Sequence, residues 1–403
     1  MDESLAALDA WQLDPYPHYR RARETPGLTF VPELDAWLVA RDEDVREVLR
    51  RPREFSSANS LRPDVMPGPG ALGVLTTGFG GYPSVVAVDG DPHRRLRAPV
   101  NRGLTPARVE AVVPYIGARV AELVDGFAGD GRVELVGACA RLLPGRVVGH
   151  LLGLHPADVP TAVHGSYRAE ALLFRPMSPE EQIGAAEDVV AMQHLLDSYA
   201  RARRRHPRDD MIGEMVSGLA PGTGELTPEQ RNEIVSQLQN LLIAGHLTTS
   251  ALIGTTVLQL LRHDQWHLLC ERPELIPAAI EEAARYDSVV QGFRRLTTGP
   301  VTLAGTELPA GAAVFAAFGS ANRDEEAVDR PEVFDITREP GRRLAFGHGP
   351  HGCPGHQLAR EQLRLTLEAL CARFPGLRLA PGHEVRMLPT LIHRSPAELN
   401  LVW

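Results

Sequence analysis

The chain has 403 residues, of which 43% are hydrophobic and 23% are charged, and its formal net charge is −9. These values are typical of a globular protein with a substantial core, and they exclude an intrinsically disordered chain. The negative net charge gives no sign of the positively charged surface that a nucleic acid would need, so we expect no nucleic-acid partner. No lysine occurs, and all 42 basic residues are therefore arginine.

The N-terminal residues are acidic and polar and do not form a signal peptide, so we expect a cytoplasmic protein. The longest uncharged run, residues 234–261, is long enough to cross a bilayer. It nevertheless contains His246, several threonines and several amide side chains. The run therefore predicts a buried helix rather than a membrane span, and we expect no membrane association.

Helical periodicity dominates the chain. It is seen in six segments, residues 41–51, 106–127, 179–205, 227–261, 277–286 and 354–373. Shorter stretches are typical of strands, at residues 28–30, 36–40, 301–303, 313–318 and 399–403, and residues 303–308 are typical of a hairpin turn. The pattern predicts a mainly α-helical fold with small β-sheets, in a single domain that spans residues 1–403.

Residues 66–84 carry six glycines and three prolines in nineteen residues and show no periodicity. A segment of this composition predicts a long loop, which is either a functional lid or a passive surface loop.

The most informative segment is residues 346–355, called here the cysteine loop, which is rich in glycine and proline. Such a loop lets its backbone approach a flat ligand closely. Cys353 lies where a helical pattern begins, and a helix N-terminus favours a thiolate, which is a good soft ligand for iron. The sequence has no C-x-x-C pair for zinc and no C-x-x-C-H for covalent haem attachment. The cysteines at positions 139, 270 and 371 lie in apolar helical settings and are expected to pack in the core.

The cysteine loop matches the pattern F-G-x-G-x-H-x-C-x-G at every fixed position, through Phe346, Gly347, Gly349, His351, Cys353 and Gly355. With further motifs in the expected order along nearly the whole chain, the sequence resembles a soluble bacterial cytochrome P450, a haem-thiolate monooxygenase. The resemblance implies the P450 fold, with haem b between the long central helix and the cysteine-loop helix. It also implies that Cys353 is the axial ligand of the iron and that the loop residues contact the cofactor.

Glu282 and Arg285 are three residues apart, so they can pair on one face of a helix. The resemblance implies that they are the family's buried structural E-x-x-R pair. The family usually adds an arginine in a P-x-R-F-like segment, but residues 331–334 here read PEVF. Arg323 or Arg338 is a candidate substitute, and the sequence does not choose between them.

His93 and Arg97 are four residues apart, so they project from one side of a helix and can donate to one carboxylate. The resemblance implies that both bind haem propionates, together with Arg295 and His351. Arg294 competes with Arg295 for that role.

In the long central helix, the small residues Ala244 and Gly245 would let the helix pass close over a planar cofactor. The resemblance implies that Thr248, followed by Thr249, helps to deliver protons to bound oxygen. The alternative is that the Thr248 hydroxyl bonds back to its own helix.

Leu247 departs from the family, which usually carries an acid immediately before this threonine. Three explanations remain open. Protons travel through water and the hydroxyls of Thr248 or Thr249, the substrate supplies a polar group, or peroxide supplies both protons and electrons.

The resemblance implies insertion of one oxygen atom from O2 into a C–H bond of a medium-to-large hydrophobic molecule, such as a natural-product intermediate of secondary metabolism. By family position the pocket would draw on residues 66–84, 166–177, 241–247, 289–293 and 388–392. These segments include Leu241, Leu247, Val289, Val290, Gln291 and Leu391, with Tyr167, Arg168 and Glu170 as further polar candidates.

The chain contains no flavin or iron–sulfur module, so we expect a monomer that receives electrons from a separate ferredoxin and ferredoxin reductase. Arg342, Arg343 and Arg360 are candidates for a docking patch. Two other enzymatic hypotheses are a peroxide-driven oxidase and an aryl-coupling oxidase. A non-catalytic recruitment subunit is less expected, because such proteins often lose the cysteine or the threonine that this chain retains.

Overall fold

The computed structural model describes residues 11–64, 66–79, 82–339, 341, 343–388 and 390–403. Its α-helices are α1 Tyr16–Glu24, α2 Asp42–Arg50, α3 Pro69–Leu75, α4 Gly90–Gly103, α5 Pro106–Asp125, α6 Leu142–Leu152, α7 Val159–Phe174, α8 Pro179–Arg205, α9 Met211–Leu219, α10 Pro228–Arg262, α11 Trp266–Glu271, α12 Ile276–Tyr286, α13 Phe318–Ala321 and α14 His356–Arg373. Helices therefore dominate the fold, as the periodicity predicts.

The strands are short. They are β1 Thr29–Val31, β2 Ala36–Val39, β3 Phe55–Ser56, β4 Arg132–Glu134, β5 Phe293–Thr297, β6 Val301–Leu303, β7 Thr306–Leu308, β8 Ala313–Ala316, β9 Arg378–Leu379 and β10 Asn400–Val402. They form a five-stranded sheet of order β1-β2-β8-β5-β3, a three-stranded sheet β4-β10-β9 and the hairpin β6-β7. Strands β2 and β8 run parallel, whereas the other pairs are antiparallel.

The expectation of an aperiodic loop over residues 66–84 is wrong in part, because the segment contains α3. Its glycines let it lie close to α8. A Cβ on Gly70 would lie 3.0 Å from Ile183 Cδ1, and one on Gly78 would lie 2.1 Å from Gln193 Oε1. The backbone N–H of Phe79 also donates to Gln193 Oε1, at 2.8 Å. The unusual composition thus serves close packing on a neighbouring helix.

The chain divides into two compact units. Unit 1 comprises residues 1–60, 115–143 and 248–403, and it contains all of the described strands. Unit 2 comprises residues 61–114 and 144–247, and its described elements are helical.

The core of unit 2 is built largely on α7, α8 and the first part of α10. Met192 and Leu196 of α8 are fully buried, as is Ala162 of α7. A Cβ on Gly165 would lie 2.5 Å from Met192 Cβ, so α7 and α8 approach each other closely there. Within the described chain, α10 is the helix long and apolar enough to cross a membrane, and 72% of its most apolar window is buried in the protein.

A buried ion pair fixes α12 in unit 1. Arg285 is 0% exposed and Glu282 is 3% exposed. Nε and Nη2 of Arg285 donate to the two carboxylate oxygens of Glu282 at 2.8 and 2.7 Å. The remaining guanidinium donors reach the backbone carbonyls of Asn322, Pro331 and Val333. The bidentate geometry and the carbonyl acceptors satisfy a charge that would otherwise be costly to bury.

Arg338 is the second cation at Glu282. Its Nε lies 3.3 Å from both carboxylate oxygens, and the backbone N–H of Asp335 donates to Oε1 at 3.0 Å. Arg323 instead pairs with Glu332, and its guanidinium lies 3.7 and 4.0 Å from the ring centroids of Tyr16 and Tyr286. Arg338 therefore takes the place of the arginine missing from residues 331–334.

We predict that Arg338→Met lowers the free energy of unfolding by about 1–3 kcal/mol, because it leaves Glu282 buried with one cation fewer. Urea unfolding followed by circular dichroism measures the change. The matched control is Arg272→Met, which removes an arginine from an exposed pair with Glu274 and should cost less than about 0.5 kcal/mol. Equal stabilities of the two variants would mean that Arg285 alone balances Glu282.

Candidate active site

Cys353 is half-buried, forms no disulfide and lies three residues before α14. The helix begins at His356 with Gly355 as its N-cap, two residues later than the periodicity predicts. The backbone N–H of Cys353 donates to the Phe346 carbonyl at 2.8 Å, which closes the cysteine loop on itself. The loop therefore presents the sulfur next to a helix N-terminus.

Two glycines in this loop have a left-handed backbone, with φ of +71° at both Gly347 and Gly349. At Gly349 a Cβ would lie 2.6 Å from the Leu49 carbonyl oxygen at the end of α2. Position 349 thus requires glycine both for its backbone angle and for the close approach to α2. On the α14 side, the Arg360 guanidinium lies 4.5 Å from the centroid of the Phe346 ring.

His351 and Arg295 are held by hydroxyl groups of unit 1. His351 Nε2 lies 3.1 Å from the Oγ of Ser57, which is fully buried. Arg295, on β5, is 4% exposed and donates through Nη1 to Ser60 Oγ at 3.0 Å. Its neighbour Arg294 is 5% exposed, so burial does not separate the two competing arginines.

His93 and Arg97 lie one turn apart on α4 in unit 2. His93 is buried, whereas Arg97 is partly exposed and donates through Nε to Asn101 Oδ1 at 2.9 Å. In unit 1, His351 and Arg295 provide imidazole and guanidinium donors for carboxylates, and Cys353 provides a soft sulfur donor. This donor set fits the haem, with its iron and propionates, that the sequence resemblance implies.

Residues 244–249 are α-helical throughout, within α10. Four residues at helical spacing in this region remain at least partly exposed, namely Leu241, Ala244, Gly245 and Thr248. In contrast, Leu247 and Thr249 are buried. Ala244, which is exposed and small, and Thr248, which is partly exposed and polar, fit a helix that passes close to a cofactor.

Gly245 has a second role that the sequence does not show. A Cβ at this position would lie 2.8 Å from Val148 Cγ2 of α6, inside unit 2. The absence of a side chain therefore also permits close helix packing.

Four of the candidate pocket residues, Val289, Val290, Gln291 and Leu391, lie in unit 1. Val289, Gln291 and Leu391 are buried, and Val290 forms an isolated bridge with His393. The Gln291 side-chain nitrogen donates to the Ser288 carbonyl at 2.6 Å and to the Tyr16 hydroxyl at 3.3 Å. Gly80, Gly81 and Pro389, which belong to predicted pocket segments, lie outside the described residues.

Two of the polar pocket candidates are ion-paired within unit 2. Arg168 donates to Asp188 at 3.2 Å, and Glu170 lies 2.8 Å from Arg175.

The candidate docking arginines differ in their surroundings. Arg360 pairs with Glu281, its Nη2 donating at 3.2 Å, so its charge is largely balanced. Arg343 is half-buried, and this desolvation lowers its pKa. Arg342 lies outside the described residues.

A buried His246–Ser166 pair joins α10 to α7 in unit 2, and the sequence analysis did not identify it. Both residues are 0% exposed, and Ser166 Oγ is hydrogen-bonded to His246 Nε2. Because the hydroxyl donates to the Val163 carbonyl at 2.8 Å, it accepts from Nε2–H. Nδ1 has no partner among the described residues, and the Tyr167 ring lies edge-on at 4.7 Å. Burial lowers the pKa of His246 to about 3.

Comparisons with known proteins agree with this geometry. The family model described as Cytochrome P450 matches residues 269–398. The chain is 36% identical to nocardicin C N-oxygenase of Nocardia uniformis subsp. tsuyamanensis over 98% of this chain and 97% of that protein. It is 35% identical to mycinamicin IV hydroxylase/epoxidase of Micromonospora griseorubida, over 92% and 90% of the two chains. A solved structure, cytochrome P450 CREJ in complex with (4-ethylphenyl) dihydrogen phosphate, is 30% identical and superposes with a TM-score of 0.89 over 97% of both chains.

We predict that His246 makes the protein less stable as the pH falls. Below the ordinary histidine pKa of 6.5 the His246 imidazole is protonated in the unfolded chain. In the folded chain it stays neutral down to about pH 3, because its pKa is about 3. Between about pH 6 and pH 4 the wild type should therefore lose about 1.4 kcal/mol per pH unit more than His246→Asn. Urea unfolding across this range measures the two slopes.

The matched control for that prediction is His267→Asn, because His267 is exposed on α11. This variant should keep the slope of the wild type. Parallel slopes for the wild type and His246→Asn would contradict the prediction.

Proposed function

This chain belongs to the cytochrome P450 family, and on that premise we propose that it oxidises a medium-to-large hydrophobic natural product in secondary metabolism. It is a monooxygenase whose cofactor is haem with a cysteine thiolate ligand and whose co-substrate is O2. The chain acts as one P450 domain, and the length of its match to the curated relatives supports this.

The observation that carries the proposal is the cysteine loop. Cys353 is the residue that would hold the haem iron, because it lies half-buried beside a helix N-terminus that favours a thiolate. The glycines at 347 and 349 hold the loop in a shape that other residues would strain. When bound, haem supplies the chemistry that activates oxygen, with electron density donated by the thiolate.

Four cationic or imidazole side chains would bind the haem propionates. Arg295 and His351 are oriented by Ser60 and Ser57, and His93 and Arg97 project from one side of α4. Guanidinium and imidazole N–H groups recognise carboxylates through directed hydrogen bonds. Gly347, Gly349, Gly355 and Phe346 would shape the loop that holds the cofactor.

Proton delivery would depend on hydroxyl groups rather than on an acid. Leu247 is buried and cannot carry a proton, whereas the neighbouring Thr248 is partly exposed. We place the relay at Thr248 and Thr249, with water or a polar group of the substrate completing it. Ala244 would leave room for O2 beside the helix, whereas Val148 of α6 takes up the space at Gly245.

The substrate class follows from the apolar character of the candidate pocket residues, Leu241, Leu247, Val289, Val290, Gln291 and Leu391. Apart from Gln291 these side chains are aliphatic, so binding would rest on hydrophobic burial with few polar contacts. The two bacterial relatives are named for oxidations of nocardicin C and mycinamicin IV, and these names support a natural-product substrate.

Electrons would come from a separate ferredoxin and its reductase. The enzyme would be a monomer and would act in the cytoplasm. Product formation with NADH and these partners, compared with peroxide alone, separates this reading from a peroxide-driven oxidase. Product structures distinguish hydroxylation from aryl coupling. A screen of candidate compounds by the shift of the haem Soret band identifies the substrate.

We predict that Cys353→Ser abolishes the ferrous–CO absorption band typical of thiolate ligation, because serine lacks the soft sulfur donor. The matched control, Cys139→Ser, changes a fully buried cysteine in an apolar setting and should retain the band. Circular dichroism establishes that both variants are folded. A thiolate-type band in folded Cys353→Ser protein would remove Cys353 from its proposed role.

We predict that Thr248→Ala diverts electrons from product to hydrogen peroxide, because the hydroxyl that positions protons is lost. Product per NADH should fall several-fold while peroxide rises, with the ferrous–CO spectrum unchanged. Thr256→Ala makes the same change at a buried position two turns further along α10 and should couple like the wild type. Unchanged coupling in Thr248→Ala would exclude the hydroxyl from proton delivery.

A further inference from the structure

A buried carboxylate lies at the end of α12 in unit 1, next to two of the segments proposed to line the pocket. Asp287 is 2% exposed and directly follows the last residue of that helix. Its Oδ1 accepts hydrogen bonds from the Tyr16 hydroxyl at 2.8 Å and from Arg394 Nε at 2.6 Å, and its Oδ2 accepts from Gln259 Nε2 at 2.9 Å. The three donors lie on α1, on the segment before β10 and on α10, so one carboxylate joins three distant parts of the chain.

The two pocket segments pair with each other over a very short stretch. Val290 forms an isolated antiparallel bridge with His393. Two backbone hydrogen bonds flank the bridge, from the N–H of Arg394 to the Val289 carbonyl at 2.7 Å and from the N–H of Gln291 to the Ile392 carbonyl at 2.8 Å. A two-stranded pairing of this length is marginal without further support.

Asp287 supplies that support to one segment through Arg394. The Arg394 side chain is 12% exposed, and while its Nε donates to Asp287, its Nη1 donates to the Leu13 carbonyl at 2.7 Å. The backbone of the same residue contributes one of the two hydrogen bonds beside the bridge. Arg394 is therefore fixed at both its main chain and its side chain, which holds residues 388–394 against residues 289–291.

Tyr16 connects the carboxylate to the other segment. Its hydroxyl donates to Asp287 and accepts from Gln291 Nε2 at 3.3 Å. The Arg323 guanidinium lies 3.7 Å from the centroid of the Tyr16 ring, which helps to keep the ring in place. The same buried carboxylate therefore holds both segments, one through Arg394 and the other through Tyr16.

We propose that Asp287 is a positioning residue that sets the shape of the substrate pocket for large molecules. This inference rests on the proposed function, in which residues 289–293 and 388–392 line the pocket. Val290 and Leu388 are partly exposed, so each segment keeps an accessible apolar side chain. A shift of either segment would change the contacts with a large ligand, whereas a ligand that contacts little besides the iron would be almost unaffected.

The test compares two ligands that bind the iron of the haem-loaded enzyme through an imidazole nitrogen. Clotrimazole carries bulky aromatic rings on its imidazole, whereas imidazole itself is small, and the shift of the haem Soret band reports the binding of each. In Asp287→Asn and in Tyr16→Phe we expect the Kd of clotrimazole to rise about three- to tenfold, because hydrogen bonds that hold the pocket segments are lost. The Kd of imidazole should stay within about twofold of the wild-type value.

Two matched controls make the same chemical changes elsewhere in unit 1. Tyr19→Phe removes a hydroxyl from a buried ring on α1, and Asp324→Asn neutralises a carboxylate that is 4% exposed and accepts the Asp42 N–H at 2.7 Å. Both should bind the two ligands like the wild type. Tyr16→Phe leaves the pair of Asp287 and Arg394 in place, so it decides the question if Asp287→Asn does not fold.

The proposal is overturned if the two Kd values rise by the same factor, or if neither changes. Val290→Ala and Leu388→Ala test the pocket itself. If neither of them changes the Kd of clotrimazole, the pocket assignment is wrong and this inference fails with it. If either does so while Asp287→Asn and Tyr16→Phe bind clotrimazole like the wild type, the pocket assignment stands and only the positioning role is lost.

Discussion

The buried carboxylate of Glu282 is the charge on which the proposed iron-binding end of the molecule depends. Arg285 balances it and also donates to the Asn322 carbonyl, while the side-chain oxygen of Asn322 accepts the backbone N–H of Leu344 at 2.8 Å. Leu344 in turn accepts from Gly347, at the start of the cysteine loop. A continuous series of hydrogen bonds therefore leads from the ion pair to the loop. The loop that carries Cys353 is thus connected by hydrogen bonds to a buried ion pair.

Glycine serves two different purposes around this site, and the distinction explains why composition alone is a poor guide. Gly349 is required by its backbone angle and by the carbonyl of Leu49, so it fixes the shape of a loop. Gly245 and the glycines of the segment around α3 are required by neighbouring side chains, because they let helices approach closely. The glycine of the cysteine loop therefore shapes the proposed iron-binding site, whereas the other glycines serve helix packing.

Sequence reasoning succeeded where a local pattern determines the structure. It found the bounds of α8, whose start is marked by Pro179 and a capping box at Ser178. It missed α7, because a helix with many buried positions shows little contrast between a polar and an apolar face. It also missed β5, because two adjacent arginines are not typical of a strand inside a sheet. The substitution by Arg338 and the His246–Ser166 pair depend on contacts across 56 and 80 residues of chain, which no local pattern encodes.

Because all of its basic residues other than histidine are arginine, the protein should keep the positive charges of its ion pairs at alkaline pH. A lysine ammonium begins to lose its charge near pH 10, whereas a guanidinium does not. Apart from those that use histidine, the described ion pairs, including the buried ones at Glu282 and Asp287, consequently keep their cations in strong base. Ionisation of thiols and phenols then remains as the route to alkaline unfolding, and burial already opposes it at Tyr16 and Tyr19 by raising their pKa.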